Sequence, residues 1–185
     1  SIFCSCRIDQ FEDALAQAAA DKPDMILVEA SGLSDPTSMQ AILKQDRFSE
    51  ISYLGCVCLV DPKTIQKVLA GVRVGKKQLE AADLVLVNKA DTVSEQVLSQ
   101  TEELIRELRP EVQIRRTTFG RIEREWLSNI RERKDIGGSS YHLKDVGLQK
   151  LTIKIKDSMS YAQLGDFLAG FVGFTFRVKG FVLLE

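Results

Sequence analysis

The sequence predicts an α/β fold: a mostly parallel sheet with helices on both faces. Three observations predict it. Short apolar runs alternate with longer amphipathic segments along most of the chain. The runs Met25-Ile26-Leu27-Val28 and Leu84-Val85-Leu86-Val87 are continuously apolar, as strands buried on both faces of a parallel sheet are. Each ends abruptly in a polar cluster, and in open α/β sheets ligands bind beyond the carboxyl ends of the strands.

Taken in order, Ile8, Phe11, Leu15 and Ala19 fall at helical spacing and predict a helix from Ile8 to Ala20. Pro23 closes it, and the first apolar run follows as a strand. Glu29-Ala30-Ser31-Gly32-Leu33-Ser34-Asp35-Pro36 then leads to a helix with Asp35 as cap, Pro36 at its first position and Met39, Ile42 and Leu43 inward. Tyr53–Val60 is the next expected strand. Asp61-Pro62 opens a helix lined by Ile65, Val68, Leu69 and Val72. After Leu84–Val87 a helix is expected from Ser94 to Arg109, with Val97, Leu104, Ile105 and Leu108 inward and Pro110 as its stop. Val112–Thr117 reads as a strand ending at Thr118-Phe119-Gly120. Ile122, Trp126 and Ile130 suggest one more helix.

From Arg131 the character changes. A charged stretch and Gly137-Gly138-Ser139-Ser140 read as a linker. Beyond it come an alternating strand at Leu148–Ile155, a helix carrying Tyr161, Leu164 and Leu168, and a strand-like Phe174–Leu184. The expected organisation is a first domain over 1–133, a linker over 134–147 and part of a second, small α+β domain over 148–185.

The formal net charge of −1 gives no reason to expect nucleic acid as a partner. No apolar run approaches the ~20 residues that span a bilayer, so no membrane is expected. The start carries neither an initiator Met nor a signal-peptide core, which reads as a cytoplasmic protein and as a fragment.

Asn88-Lys89-Ala90-Asp91 has the chemistry to read guanine. An ionised Asp91 can accept from the ring N–H and the exocyclic amine, Asn88 can bond O6 or N7, and the Lys89 stem can lie on the ring face. Adenine leaves Asp91 without its pair of donors. The other cluster resembles the place where P-loop GTPases carry an acidic residue, here Glu29, for Mg²⁺ or its water shell and a Gly three residues later, here Gly32, whose backbone N–H meets the γ-phosphate where a side chain would intrude. Ser31 lies between them as a further nucleotide contact. The glycine-rich phosphate loop with its Lys-Ser/Thr ending, expected upstream of both, does not occur in residues 1–185.

Glu-x-Ser-Gly-Leu-x-Asp-Pro followed by Asn-Lys-x-Asp resembles the metal-chaperone GTPases of the CobW, HypB and UreG group, in particular the CobW-like branch. Ala81-Ala82-Asp83, Thr118-Phe119-Gly120 and Phe176-Arg177-Val178-Lys179-Gly180 look like landmarks of that branch. The resemblance implies a P-loop NTPase-type sheet, with the phosphate loop upstream of Ser1 and a C-terminal domain continuing past Glu185. It also implies GTP and Mg²⁺ as ligands and slow GTP hydrolysis with Glu29 and Gly32 in catalytic roles. The segment Ser34–Ser38 becomes a switch ordered by GTP, and a transition metal and a client metalloenzyme or cofactor-synthesis protein become the partners.

The family's Gly-Cys-x-Cys-Cys metal motif falls at Ser1–Arg7, where only Cys4 and Cys6 are cysteines. If these two match its first two cysteines, Arg7 replaces the third; if Arg7-Ile8-Asp9 matches the Arg-Gly-Asp that often follows, only Cys4 falls on a family cysteine. Two thiolates one residue apart can bind Zn²⁺ or Co²⁺, but a closed site needs four ligands, so a metal role and a structural role both stay open. Cys56 and Cys58 share one side of a strand and read as core, and His142 as a solvated linker side chain. The leading reading is a metallochaperone or cofactor-insertion GTPase. Its rivals are a GTP-gated chaperone for a cobalamin or other client enzyme without metal carriage, and a non-hydrolysing module with a vestigial nucleotide site.

Overall fold

A computed structural model describes residues 8–30, 32, 34–71, 73–128, 130, 151–155, 157–175 and 178–185. Cys4, Cys6, Ser31, His142 and the expected linker lie outside the described residues. The chain divides into two compact units, Ser1–Leu148 and Gln149–Glu185.

In the first unit, β1 (Val57–Val60), β2 (Leu84–Val87) and β3 (Gln113–Arg116) form a parallel sheet in the order β1-β2-β3. Val57 pairs with Leu84, and Leu84 with Gln113, so the three strands end level at Val60, Val87 and Arg116. Parallel neighbours need crossovers. Those here are α3 (Ile65–Gly71) with α4 (Arg73–Ala81), then α5 (Glu95–Leu108). Ile65, Leu79, Leu98 and Ile105 from these helices pack with Val60, Val85, Val87 and Ile114 in one core. This α/β architecture is the one the sequence predicts.

All four residues of β2 are inaccessible to solvent. Helix α4 is not expected from the pattern, because its inner face is only Val74, Gly75, Leu79 and Ala81 and the rest of its short sequence is polar. At its end the Asp83 carboxylate accepts from the Cys56 N–H at 2.8 Å, and Asp83 N–H donates to Cys56 O at 2.8 Å. The two strands are thereby clamped just where β2 begins.

Helix α1 (Ile8–Ala20) has the predicted limits. It packs Phe11 and Leu15 against Ile42 of α2 (Ser38–Leu43) and against Phe48 of the 3₁₀ turn Asp46–Phe48. Two expectations are corrected here. The run Met25–Val28 is not a strand: it pairs with no described residue, and Leu27 is 91% exposed. A continuous apolar run becomes a parallel strand only where a neighbour supplies the ladder. Nor does Asp35 cap α2. The helix begins two residues later than Pro36, and the Asp35 carboxylate closes a local turn by accepting from Thr37 N at 3.0 Å and Thr37 Oγ1 at 2.6 Å. The strand expected at Tyr53–Val60 shortens to β1. The helix expected around Trp126 is α6 (Arg124–Ser128).

In the second unit, α7 (Tyr161–Val172) starts at a capping box in which Ser160 and Gln163 exchange side-chain-to-backbone bonds. Phe167 and Phe171 meet edge to face at 4.9 Å. The strand expected at Leu148–Ile155 is not formed by its described residues, and of the one expected at Phe174–Leu184 the described residues keep only Leu184, in an isolated parallel bridge with Met159. So few residues bury too little apolar surface to hold a sheet together.

Candidate functional site

The rim beyond β2 is built by exchange between three loops. The ladder carries one bond past the last strand pairs on each side of β2, with Asn88 N–H donating to Val60 O at 2.8 Å and Thr117 N–H to Val87 O at 2.9 Å. Lys89 then adopts a left-handed backbone, φ 59°, and Ala90 N–H donates to Thr117 O at 3.1 Å. Phe119 (φ 56°) and Gly120 (φ 64°) are left-handed as well. Non-glycine residues in that region carry strain that only a well-determined surrounding sustains, and it gathers at functional sites.

This backbone presents the three predicted base-reading side chains together. Asn88 Oδ1 accepts the Gly120 N–H at 2.9 Å, which fixes the amide and leaves its Nδ2 as the donor for a ligand. The exposed Asp91 carboxylate accepts from Thr118 Oγ1 at 3.2 Å through one oxygen, so the other is open to a second donor. Lys89 Nζ is held by Asp61 Oδ2 at 2.6 Å, pinning the stem across the rim. Burial works against the Asp61 charge, but bonds from Lys89 and the Lys63 N–H outweigh it and keep its carboxyl below the usual range. The set is a fixed amide donor, a carboxylate acceptor and a braced aliphatic stem, which is the complement of a guanine edge and face. Sequence reasoning missed Asp61 and Thr118 as their supports. The signals were there: Asp61 directly follows the apolar run of β1, and Thr118 lies two residues past β3 on the same rim, although helix α3 begins at Ile65 and not at Pro62 as expected.

A cleft of about 580 Å³ adjoins this rim, lined by Thr117, Thr118, Arg121 and Trp126 among others. Arg116 beside it is committed to Glu95 at 2.7 Å and Glu102 at 2.5 Å, bonds that raise its pKa.

The other predicted cluster is built differently. Glu29 is exposed outside any helix or strand, and among the described residues no hydrogen bond or ion pair joins it to Asn88, Lys89 or Asp91. Gly32 and Ser34 are held from α4, where Gln78 Nε2 donates to Gly32 O at 3.2 Å and to Ser34 O at 3.0 Å. Lys77 Nζ pairs with Asp35 Oδ2 at 2.6 Å. Burial opposes the Asp35 charge, yet the Lys77 and Thr37 bonds prevail and lower its pKa. Neither Lys77 nor Gln78 is marked by any motif.

Burial pushes the Cys56 thiol up to about 11, helped by the nearby Asp83 charge, and the Cys58 thiol up to about 12. Both thiols stay protonated at neutral pH, and Cys58 packs, partly buried, against the core. Among the described residues no three His, Cys, Asp or Glu side chains converge on a metal-sized site.

Residues 2–116 match the family model for the CobW/HypB/UreG nucleotide-binding domain. The chain belongs to the CobW/HypB/UreG family. Against curated proteins, 103 residues are 29% identical to the zinc-regulated GTPase metalloprotein activator 1 of Schizosaccharomyces pombe. The match covers 54% of this chain and 25% of the relative. The chain thus spans about a quarter of that relative's length. No solved structure matches. The matched region contains the sheet up to Arg116 and both polar clusters, so this family's nucleotide-binding domain is the frame in which they are read. No helix among the described residues is long and apolar enough to cross a membrane.

Proposed function

We propose that this chain is the base-reading and switch-bearing part of a GTP-binding, slowly GTP-hydrolysing metallochaperone or metal-insertion factor. The observation that carries it is the rim beyond β2, where Asn88 is fixed by Gly120, Lys89 is braced by Asp61 and Asp91 lies open beside them. Asn88 and Asp91 select guanine by its hydrogen-bond edge, and Lys89 covers the ring. Ser31 adds a nucleotide contact, Glu29 orients the attacking water and Gly32 senses the γ-phosphate. Mg²⁺ suits the Glu29 carboxylate as a hard oxygen donor, and it would supply charge neutralisation on the phosphates. Turnover orders and releases Ser34–Ser38, and this switch passes the nucleotide state to Cys4 and Cys6 and to a client metalloenzyme or cofactor-synthesis protein. Zinc, which regulates the yeast relative by its name, is the first metal to try, and cobalt the second.

One observation favours a second reading. Arg7, or Ser1 and Phe3, stand where further cysteines of the metal motif belong, so the protein could gate a client, such as a cobalamin enzyme, by GTP without carrying metal. GTP turnover by the whole protein, measured with and without Zn²⁺ or Co²⁺ alongside metal analysis, separates the two. Stimulated turnover with bound metal supports carriage. Turnover indifferent to metal, in a metal-free protein, supports the gate. No turnover and equal affinity for GTP and ATP would remove both.

A further inference from the structure

Two side chains on one turn of α4 grip the loop that carries Gly32. Gln78 uses a single nitrogen to hold two carbonyls, those of Gly32 and Ser34. Its neighbour Lys77 makes a close ion pair with Asp35, both side chains being less than one-third exposed. Ser34 itself is buried in a segment whose neighbours are otherwise more open, so this is a seated loop. The helix that grips it is anchored in turn. Leu79, Ala81 and Ala82 lie in the protein interior, and the Asp83 carboxylate bonds the Cys56 N–H.

We propose that Gln78 and Lys77 are positioning residues for the γ-phosphate loop, a latch that holds Gly32, Ser34 and Asp35 against α4 and so couples them to the strand that leads into Asn88, Lys89 and Asp91. This inference rests on the nucleotide reading given above. The physical case is one of direct connection. Helix α4 runs without a loop into Asp83 and β2, and β2 ends at the base-reading rim. An element fixed to the sheet at its C-terminal end and bonded about one turn earlier to the switch can transmit a change only if the bonds form in one nucleotide state and loosen in the other. A carbonyl pair held by an exchangeable amide, with a salt bridge beside it, is suited to that. Each bond is individually weak enough to break, and together they favour one loop geometry.

The test uses the whole protein and three variants. Gln78→Glu has the same size but turns an acceptor toward two carbonyls; Gln78→Lys keeps a donor; Lys77→Met keeps the stem and removes the charge. Expected are a kcat for GTP lowered about tenfold in Gln78→Glu and Lys77→Met, partial rescue in Gln78→Lys, and weakened GTPγS binding. GDP affinity should match the wild type, because GDP does not call on the γ-phosphate loop, and the melting temperature should fall only slightly, by the loss of the partly exposed Lys77–Asp35 pair. Unchanged kcat and GTPγS affinity in both damaged variants overturns the latch while leaving the guanine reading intact. So does an equal fall of GDP and GTPγS affinity together with the melting temperature, which marks a merely structural contact. A wild-type protein that neither binds nor turns over GTP overturns the nucleotide reading and the latch with it.

Discussion

Leu84-Val85-Leu86-Val87 and Met25-Ile26-Leu27-Val28 are almost the same text, four apolar residues ending in a polar cluster, yet they have different structures. The first is a central strand, paired on both sides and sealed from solvent. The second pairs with nothing described and leaves Leu27 in water. The difference lies in their neighbours. β2 has β1 and β3 to complete its backbone bonds and α3, α4 and α5 to cover one face. An apolar run records what a segment can become in a parallel sheet, and the adjacent strands decide whether it does.

The two polar clusters inherit that contrast. Asn88, Lys89 and Asp91 are positioned by strand ends, by the loop after β3 and by Asp61 after β1, so their geometry is a property of the sheet. The Gly32 loop is positioned by side chains from one helix. A rigid rim suits selection of a base, and a side-chain latch suits a segment that changes with nucleotide state.

The largest effect that could break this contrast is on stability. Leu86→Ala should cost about 2–5 kcal/mol, whereas Leu27→Ala should fall within about 0.5 kcal/mol of wild type, both by urea denaturation of the whole protein. A Leu27→Ala penalty equal to that of Leu86→Ala would mean that the first run is buried in a sheet after all. Next in size, Asp83→Ala should cost about 1–3 kcal/mol, since it orphans the Cys56 N–H at the start of the ladder. A neutral outcome would remove the clamp between β1 and β2 from the account. The smallest effect concerns acid. The folded pKa of Asp35 is lowered, so its contribution is complete above the ordinary value of 3.8 and fades as pH falls from there through the folded value. Asp35→Asn should lose that contribution at neutral pH, flatten that part of the acid-stability profile and converge with the wild type at its acid end. An identical acid limb in the variant would show that Asp35 is not held as described.

Much of this was legible in the sequence. The ends of α1, the strand at Leu84–Val87 and the polar cluster that follows it are read from spacing, because each is decided by local pattern. Helix α4 was hidden because its outward face is so polar, and because Lys77 and Gln78 act through tertiary bonds that no spacing announces. The start of α2 was misplaced for a related reason. Asp35 is a good cap by type, but its carboxylate is divided between Thr37 and Lys77.

The central claim is that Asp91 reads the amine edge of guanine, and calorimetry of GTP, XTP and ATP binding to the whole protein and to Asp91→Asn tests it most directly. Xanthine carries a carbonyl where guanine carries the amine, and asparagine offers a donor where aspartate accepts. The account predicts that wild type prefers GTP by at least about a hundredfold and that the variant turns its preference to XTP. Equal binding of GTP and ATP by wild type, or a GTP preference untouched in Asp91→Asn, would contradict it.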